Sequence, residues 1–322
     1  MSSTTWKWLR RATAVLILAV VVWRLGAGPF VTGFRKVSLP AAVAAVGIAF
    51  VTTVCSAYRW RLVARGLGIE LPLAGAVAAY YRAQFLNTAL PGGVLGDVHR
   101  GIRQGKDSGD LGRGIRVVVW ERCAGQVVQI ALAAGVLAVF PSPARLELLL
   151  GAGAAVLAVV LIWFAGRHAV RRAHGSRMAR LARTWADELR DGVLTTDAGP
   201  GIVAASAVVV FGHAATFVIA AHAVGVGLPL PRLLPLALIV LVATALPINV
   251  AGWGPREGVA AWIFAAAGLG ATAGVATATA YGVLVIIATL PGAFVLLAGM
   301  RHRNDASAAR PPDRRPKAAA YG

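Results

Sequence analysis

Acidic side chains are scarce in this chain: Asp and Glu number 13 among 322 residues, against 32 Lys and Arg, for a formal net charge of +19. Charge of either sign is also low, at 14%, where a soluble domain carries roughly 25%. Cysteine is nearly absent. Cys55 and Cys123 both fall inside apolar runs with no Cys-x-x-Cys and no ligand spacing, which excludes a disulfide framework and a cysteine metal site and leaves them reading as small buried hydrophobes. What fills the chain instead is apolar: 58% of residues are hydrophobic and the mean hydropathy is +0.71. These values describe an integral membrane protein. The basic excess would suit a nucleic-acid partner only if it were gathered on one soluble face. Here the Lys and Arg lie between apolar spans, where they mark cytoplasmic loops facing anionic lipid, so no nucleic acid is expected as a partner.

One stretch is written twice. Residues 88–100 read TALPGGVLGDVHR and residues 244–256 read TALPINVAGWGPR, at a constant offset of 156. They share Thr-Ala-Leu-Pro, a Val, a Gly and a closing Arg. Proline and glycine break a helix, and broken backbone at membrane depth survives only where protein or a water-filled cavity covers it. Two such breaks at matching places in two halves point to a transporter-type binding site.

Read in order, Ala12 to Trp23 is a first apolar span and Leu39 to Ala57 a second, which exits through a basic and aromatic collar of Tyr58, Arg59, Trp60, Arg61 and Arg65. Leu73 to Leu90 carries Arg82, Gln84 and Asn87 and ends at Pro91; it reads as a re-entrant or half-span helix, the alternative being an amphipathic surface helix. Gly101 to Asp107 resembles a P-loop, but the spacing is one residue short, Asp replaces Ser/Thr and no strand precedes it. Val117 to Phe140, Leu146 to Phe164, Ile202 to Val224 and Val275 to Ala298 are full spans. Between 166 and 199 an interfacial helix places Met178, Leu181, Trp185 and Leu189 on one face. His213 and His222 lie on opposite sides of their helix and form no metal site. Leu233 to Leu246 and Val259 to Leu269 are short for a crossing, which needs ~20 residues, and flank the second break either as two crossings or as one hairpin.

The expected architecture is therefore all-α and polytopic, with about seven or eight helices including short re-entrant or half-span ones. Three full spans separate the breaks, an odd number, so the repeat is expected to be inverted. Residues 1–300 form the transmembrane domain, with half A at about 37–140, half B at about 200–300 and the linker at 166–199; residues 301–322 form a disordered basic tail. The positive-inside rule puts both termini in the cytoplasm.

Asn87-x-x-x-Pro91, Gly96-Asp97-x-x-Arg100, Glu121-Arg122-x-x-Gly125 and Pro247-x-x-x-x-Gly252-x-Gly254-x-Arg256-Glu257-Gly258 together resemble the lysylphosphatidylglycerol synthase transmembrane-region family over roughly residues 10–300. This flippase-like module occurs in multiple peptide resistance proteins and in stand-alone membrane proteins. Two-domain relatives continue into a soluble aminoacyltransferase, whereas only 24 residues follow Ala298 here. The resemblance implies the lipid-moving half without the lipid-modifying half, in a plasma membrane.

Taken singly, Asp97 and Glu257 read as carboxylates at helix N-termini, and Glu121, about 6 Å into its span at 1.5 Å per residue, as reaching the interface. Glu121 and Arg122, being adjacent, do not pair; Arg256 and Glu257 are adjacent too. Taken together, the charges outline a central polar cavity. Arg82, Arg100, Arg122 and Arg256 receive a lipid phosphate, Asp97, Glu121 and Glu257 keep them paired when it is empty, and Asn87 and Asn249 add hydrogen bonds. Gly92, Gly93, Gly96, Gly252 and Gly254 let backbone approach the headgroup. The expected partner is an anionic membrane lipid in the bilayer: phospholipid, aminoacylated phospholipid or polyprenyl phosphate. No cofactor, metal or nucleotide motif is called for, and a homo-oligomer is left open. The rival readings are a membrane-embedded lipid transferase and a non-transporting scaffold.

Overall fold

The computed structural model describes residues 25–90, 93–140, 177–244 and 253–298, with 19, 22–23 and 142–143. Most of the first apolar run, the 146–164 span, the break residues Pro91, Gly92, Pro247, Asn249 and Gly252, and the tail lie outside them. The described residues form ten α-helices and no extended strand: α1 (Gly28–Arg35), α2 (Leu39–Gly66), α3 (Leu73–Ala89), α4 (Leu95–Asp107), α5 (Leu111–Val139), α6 (Arg177–Glu188), α7 (Gly199–Ala223), α8 (Leu230–Thr244), α9 (Pro255–Ala266) and α10 (Ala271–Thr289). Four apolar stretches are long enough to cross a bilayer, namely α2, α5, α7 and the run Ala271–Ala298 that α10 opens. Large apolar side chains such as Val43, Phe50, Val127, Val139 and Phe294 stand exposed on these spans, as a lipid-facing surface requires.

Two helices run further than hydropathy indicates. Helix α2 starts where Ser38 caps the Ala41 amide and continues past Ala57 to Gly66, carrying its basic collar as helix. Helix α5 starts six residues before Val117, where the Asp110 carboxylate accepts from the Arg113 amide at 2.9 Å. Arg is a good helix former, so a cluster of arginines ends the apolar pattern without ending the helix.

The order long, short, break, short, long occurs twice. In the first half the helices have 28, 17, 13 and 29 residues; in the second they have 25, 15, 12 and 19, the last opening an apolar run of 28 residues to Ala298. Packing repeats as well. Just as α2 packs on α3, α3 on α4 and α4 on α5, so α7 packs on α8, α8 on α9 and α9 on α10. Contacts between the halves are exchanged in the same way: α3 rests on α10 while α8 rests on α5, and α2 rests on α10 while α7 rests on α5. Helices α2 and α7, which are equivalent to each other, form the central pair.

Glycine at the fourth residue of each inner long helix lets its short neighbour close in. A Cβ on Gly114 would overlap the backbone of Gly105 and Gly101, and one on Gly274 would overlap the Ala260 carbonyl. The interfacial helix α6 docks on protein rather than lying free in a leaflet. Its Trp185 ring stands 5.3 Å from Trp120, and Glu188 accepts from Arg116 Nε at 2.6 Å and Trp120 Nε1 at 3.2 Å. The apolar face read from the sequence is thereby partly spent on α5. Cys55 is half-buried and Cys123 exposed, so the expectation that both are buried is corrected: Cys123 sits on an outward face of α5, where hydrocarbon accepts a thiol.

Gly274→Val should cost at least the ~1–3 kcal/mol typical of overpacking, since the obstacle is backbone and cannot rotate away. Gly75→Ala, where nothing lies within 4 Å, should be neutral or slightly stabilising. Thermal unfolding of the detergent-solubilised protein checks both.

Candidate functional site

Three helices each turn a polar stripe inward at spacings of three or four residues: Thr52, Ser56 and Arg59 on α2; Tyr80, Gln84 and Asn87 on α3; Arg122, Gln126 and Gln129 on α5. One face of a helix repeats at that spacing. Together with His213 and Thr216 of α7, Thr244 at the end of α8, Arg256 of α9 and Tyr281 of α10, they line a cavity of about 310 Å3. Both breaks reach it, the first through Thr88 and Gly93 and the second through Thr244, Pro255 and Arg256. Among the described residues, the charged side chains lining it are Arg59, Arg122 and Arg256.

The carboxylates stand behind the arginines. Glu121, fully buried, accepts from Arg59 through Nε at 2.9 Å and Nη2 at 2.5 Å, from the Tyr80 hydroxyl at 3.1 Å, and from Arg100 Nη2 at 2.8 Å. Asp97 accepts from Arg100 Nη2 at 3.0 Å, Arg122 Nη2 at 2.5 Å and Asn87 Nδ2 at 2.9 Å. Arg59 also donates to Ser206 Oγ at 3.0 Å. Among the described residues this cluster holds three guanidinium groups against two carboxylates, one positive charge in excess. The second break is balanced: Arg256 donates to Glu257 through Nε at 2.9 Å and Nη2 at 2.6 Å.

Each break is tied off by a different device. At the first, the Asn87 amide bridges the gap, its Oδ1 accepting from the Gly96 amide at 2.7 Å while its Nδ2 holds Asp97. Gly96 has no room for a side chain, since a Cβ would overlap Ala83 backbone. At the second, Gly254 adopts φ +125, which glycine tolerates, and its amide donates to Glu257 Oε2 at 2.7 Å. Asp97 and Glu257 are each the third residue of their helix. The N-terminal reading is borne out for Glu257. Asp97 sits in its first turn but spends its oxygens on Asn87 and two arginines rather than on backbone amides.

Four expectations are corrected. Arg100, with 1% of its side chain exposed, does not reach the cavity; its guanidinium lies between the Trp60 and Tyr80 rings at 4.4 and 4.3 Å, and its Nη2 alone donates to both Glu121 and Asp97. Arg82 is buried away from the cavity, with Arg103 and Asp107 as charged neighbours, because two residues at ~100° each set it opposite Tyr80 and Gln84. Glu121 does not reach an interface, because α5 begins at Leu111 and places it roughly 15 Å along the helix at 1.5 Å per residue. Arg256 and Glu257 pair despite adjacency, since Glu257 curls back over the helix end to reach Gly254 and so passes the Arg256 fork. Glu121 and Arg122 do diverge as expected. Arg59, assigned to an interfacial collar, is the residue the sequence reading missed.

A family model described as the lysylphosphatidylglycerol synthase TM region matches residues 8–292. No curated protein and no solved structure matches the chain.

Removing one partner from a buried ion pair typically costs ~3–5 kcal/mol, because the other charge is left uncompensated. Glu121→Gln should therefore cost about that much, as it strands Arg59 and Arg100 together. Glu188→Gln, at the partly exposed Arg116 pair, should cost no more than ~1 kcal/mol. Denaturation of the two variants in detergent distinguishes them.

Proposed function

From the premise that the chain belongs to the lysylphosphatidylglycerol synthase transmembrane-region family, we propose that it binds an anionic phospholipid headgroup in the central cavity and carries it between leaflets. The observation that supports this most is the single uncompensated cation behind a cavity wall whose charged members are all arginines. A charge at membrane depth costs several kcal/mol unless paired, and an arginine fork matches a phosphate bidentately. Arg122 is the primary ligand: 42% of its side chain is open, against 6% for Arg59 and 8% for Arg256. The neutral amides of Gln126 and Gln129, and the Thr216 oxygen as an acceptor, suit the hydroxyls of a glycerol or sugar head.

The same accounting ranks substrates. The three carboxylates of the site are already taken by arginines, so an aminoacyl lipid, with its extra ammonium groups, meets no free acid and should be the poorer ligand. A transferase would need an acid or base facing the reacting lipid; among the described residues no carboxylate lines the cavity, and the imidazole that does, His213, is engaged through Nδ1 with the Tyr281 hydroxyl at 3.0 Å. The exchanged contacts between halves fit an inverted repeat in which the halves rock about the α2–α7 pair, opening the cavity to one leaflet and then the other. Without a nucleotide motif the movement is passive or ion-coupled. The excess of Lys and Arg between the spans supports a plasma-membrane orientation with both termini cytoplasmic.

Liposomes containing the purified protein should exchange fluorescent phosphatidylglycerol between leaflets faster than phosphatidylcholine or lysylphosphatidylglycerol. Arg122→Ala should slow that exchange at least tenfold, and Arg256→Ala should slow it as well. Wild-type rates equal to those of empty liposomes for every anionic lipid tried would overturn the reading.

A further inference from the structure

A second concavity opens on the outside of the helix pair α2–α7. It is a groove of about 520 Å3 bounded by Gly47, Ile48, Val51 and Thr52 on one helix and Ala207, Val208, Phe211 and Gly212 on the other. Its walls are apolar except for Thr52. Val51, Val208 and Phe211 are 49, 42 and 43% exposed, so they face the bilayer rather than the protein. Gly47 begins the ninth residue of α2 and Ala207 is the ninth of α7, which sets the groove roughly 12–20 Å along each helix, at the depth of hydrocarbon.

Two features turn this groove from ordinary lipid-facing surface into part of a site. Ile48 and Thr52 line both concavities. The partition between them is thin: the side chains of Ile48 and Thr52 close against Gly212, where a Cβ would overlap Thr52 Cγ2. The groove is widened by absent side chains, because nothing lies within 4 Å of a Cβ built on Gly47. A polar chamber with excess positive charge, sharing a wall with an apolar channel that opens sideways into the membrane, has the shape of an amphiphile.

We infer that the groove between α2 and α7 seats an acyl chain of the lipid whose phosphate occupies the cavity, and that the Ile48–Thr52 wall is the lateral portal through which the headgroup enters. This rests on the lipid-handling reading above. Burial of methylenes against the groove gains apolar transfer relative to water but nothing relative to lipid. The groove therefore contributes orientation rather than affinity: it holds the glycerol backbone beside the portal while the head turns inward. Helices α2 and α7 are equivalent members of the two halves, so the portal lies on the line where the halves meet.

Gly47→Phe fills the groove without touching the cavity, and Val208→Phe fills it from the other wall. Val43→Phe adds the same bulk to an exposed position of α2 outside the groove. The full chain is compared in two assays: binding of water-soluble glycerophosphoglycerol in detergent, and leaflet exchange of dioleoyl phosphatidylglycerol in liposomes. Both groove variants should slow exchange at least tenfold, Val43→Phe should stay near wild type, and headgroup binding should change less than twofold in all three. Groove variants that exchange at the wild-type rate overturn the acyl-chain site while leaving the headgroup site intact. Groove variants that also lose glycerophosphoglycerol overturn it too, because the groove would then not be separable from the cavity. A wild type that neither binds the headgroup nor exchanges lipid removes the lipid reading itself, and this inference with it.

Discussion

Glu121 holds the molecule's polar interior together. Its two oxygens gather Arg59 from α2 and Arg100 from α4, with the Tyr80 hydroxyl of α3 completing the shell, so a single carboxylate on α5 ties four helices. Such an arrangement is not a cheap route to stability. A buried ion pair is on average no better than a packed apolar pair of the same volume, and the chain has apolar residues in abundance. What the pairs supply is position. Arg59 is held by Glu121 and Ser206, and Arg122 by Asp97, with their remaining faces turned to the cavity, so the cationic wall exists before any ligand arrives.

The two breaks make that wall possible. A continuous helix at 81–107 would satisfy its own backbone and leave no opening; interrupted, it brings the start of α4 back against α3. Asn87 then performs two tasks that unbroken helix would not need, covering the Gly96 amide and steering Asp97 toward Arg122. The second break reaches the same cavity by capping chemistry, with Glu257 closing on Gly254 and steadying Arg256 beneath Trp253 and Tyr281. Glycines keep the short helices within backbone contact of the long ones, so the apolar clusters around Trp60 and Phe217 pack on either side of the polar centre rather than through it.

Much of this was legible from residue types alone. Composition carried the membrane class, the doubled Thr-Ala-Leu-Pro carried the pair of breaks, and the acids and arginines that cluster around 97–122 and 256–257 were recognised as one neighbourhood. What failed was direction. Arg100 and Arg122 look alike in sequence, yet one is sealed between aromatic rings and the other open, because stacking partners come from α2 and α3, far away along the chain. Arg82 was misplaced although its phase on the helix was available: it stands half a turn from the Tyr80–Gln84–Asn87 stripe. Arg59 reads as part of an interfacial collar, yet Thr52, Ser56 and Arg59 mark an inward stripe on an otherwise apolar helix. Polar residues at spacings of three and four within a span were the signal that hydropathy averages away.

The central property of the molecule is electrostatic: a cluster of three arginines and two acids, one charge short of neutral, opens into a chamber of about 310 Å3. Native mass spectrometry of the protein released from nanodiscs with equal phosphatidylglycerol and phosphatidylcholine tests it most directly. One phosphatidylglycerol retained per chain in preference to phosphatidylcholine, with retention lost in Arg122→Ala, is the predicted result. Equal retention of the two lipids, or selective retention that survives Arg122→Ala, would contradict it.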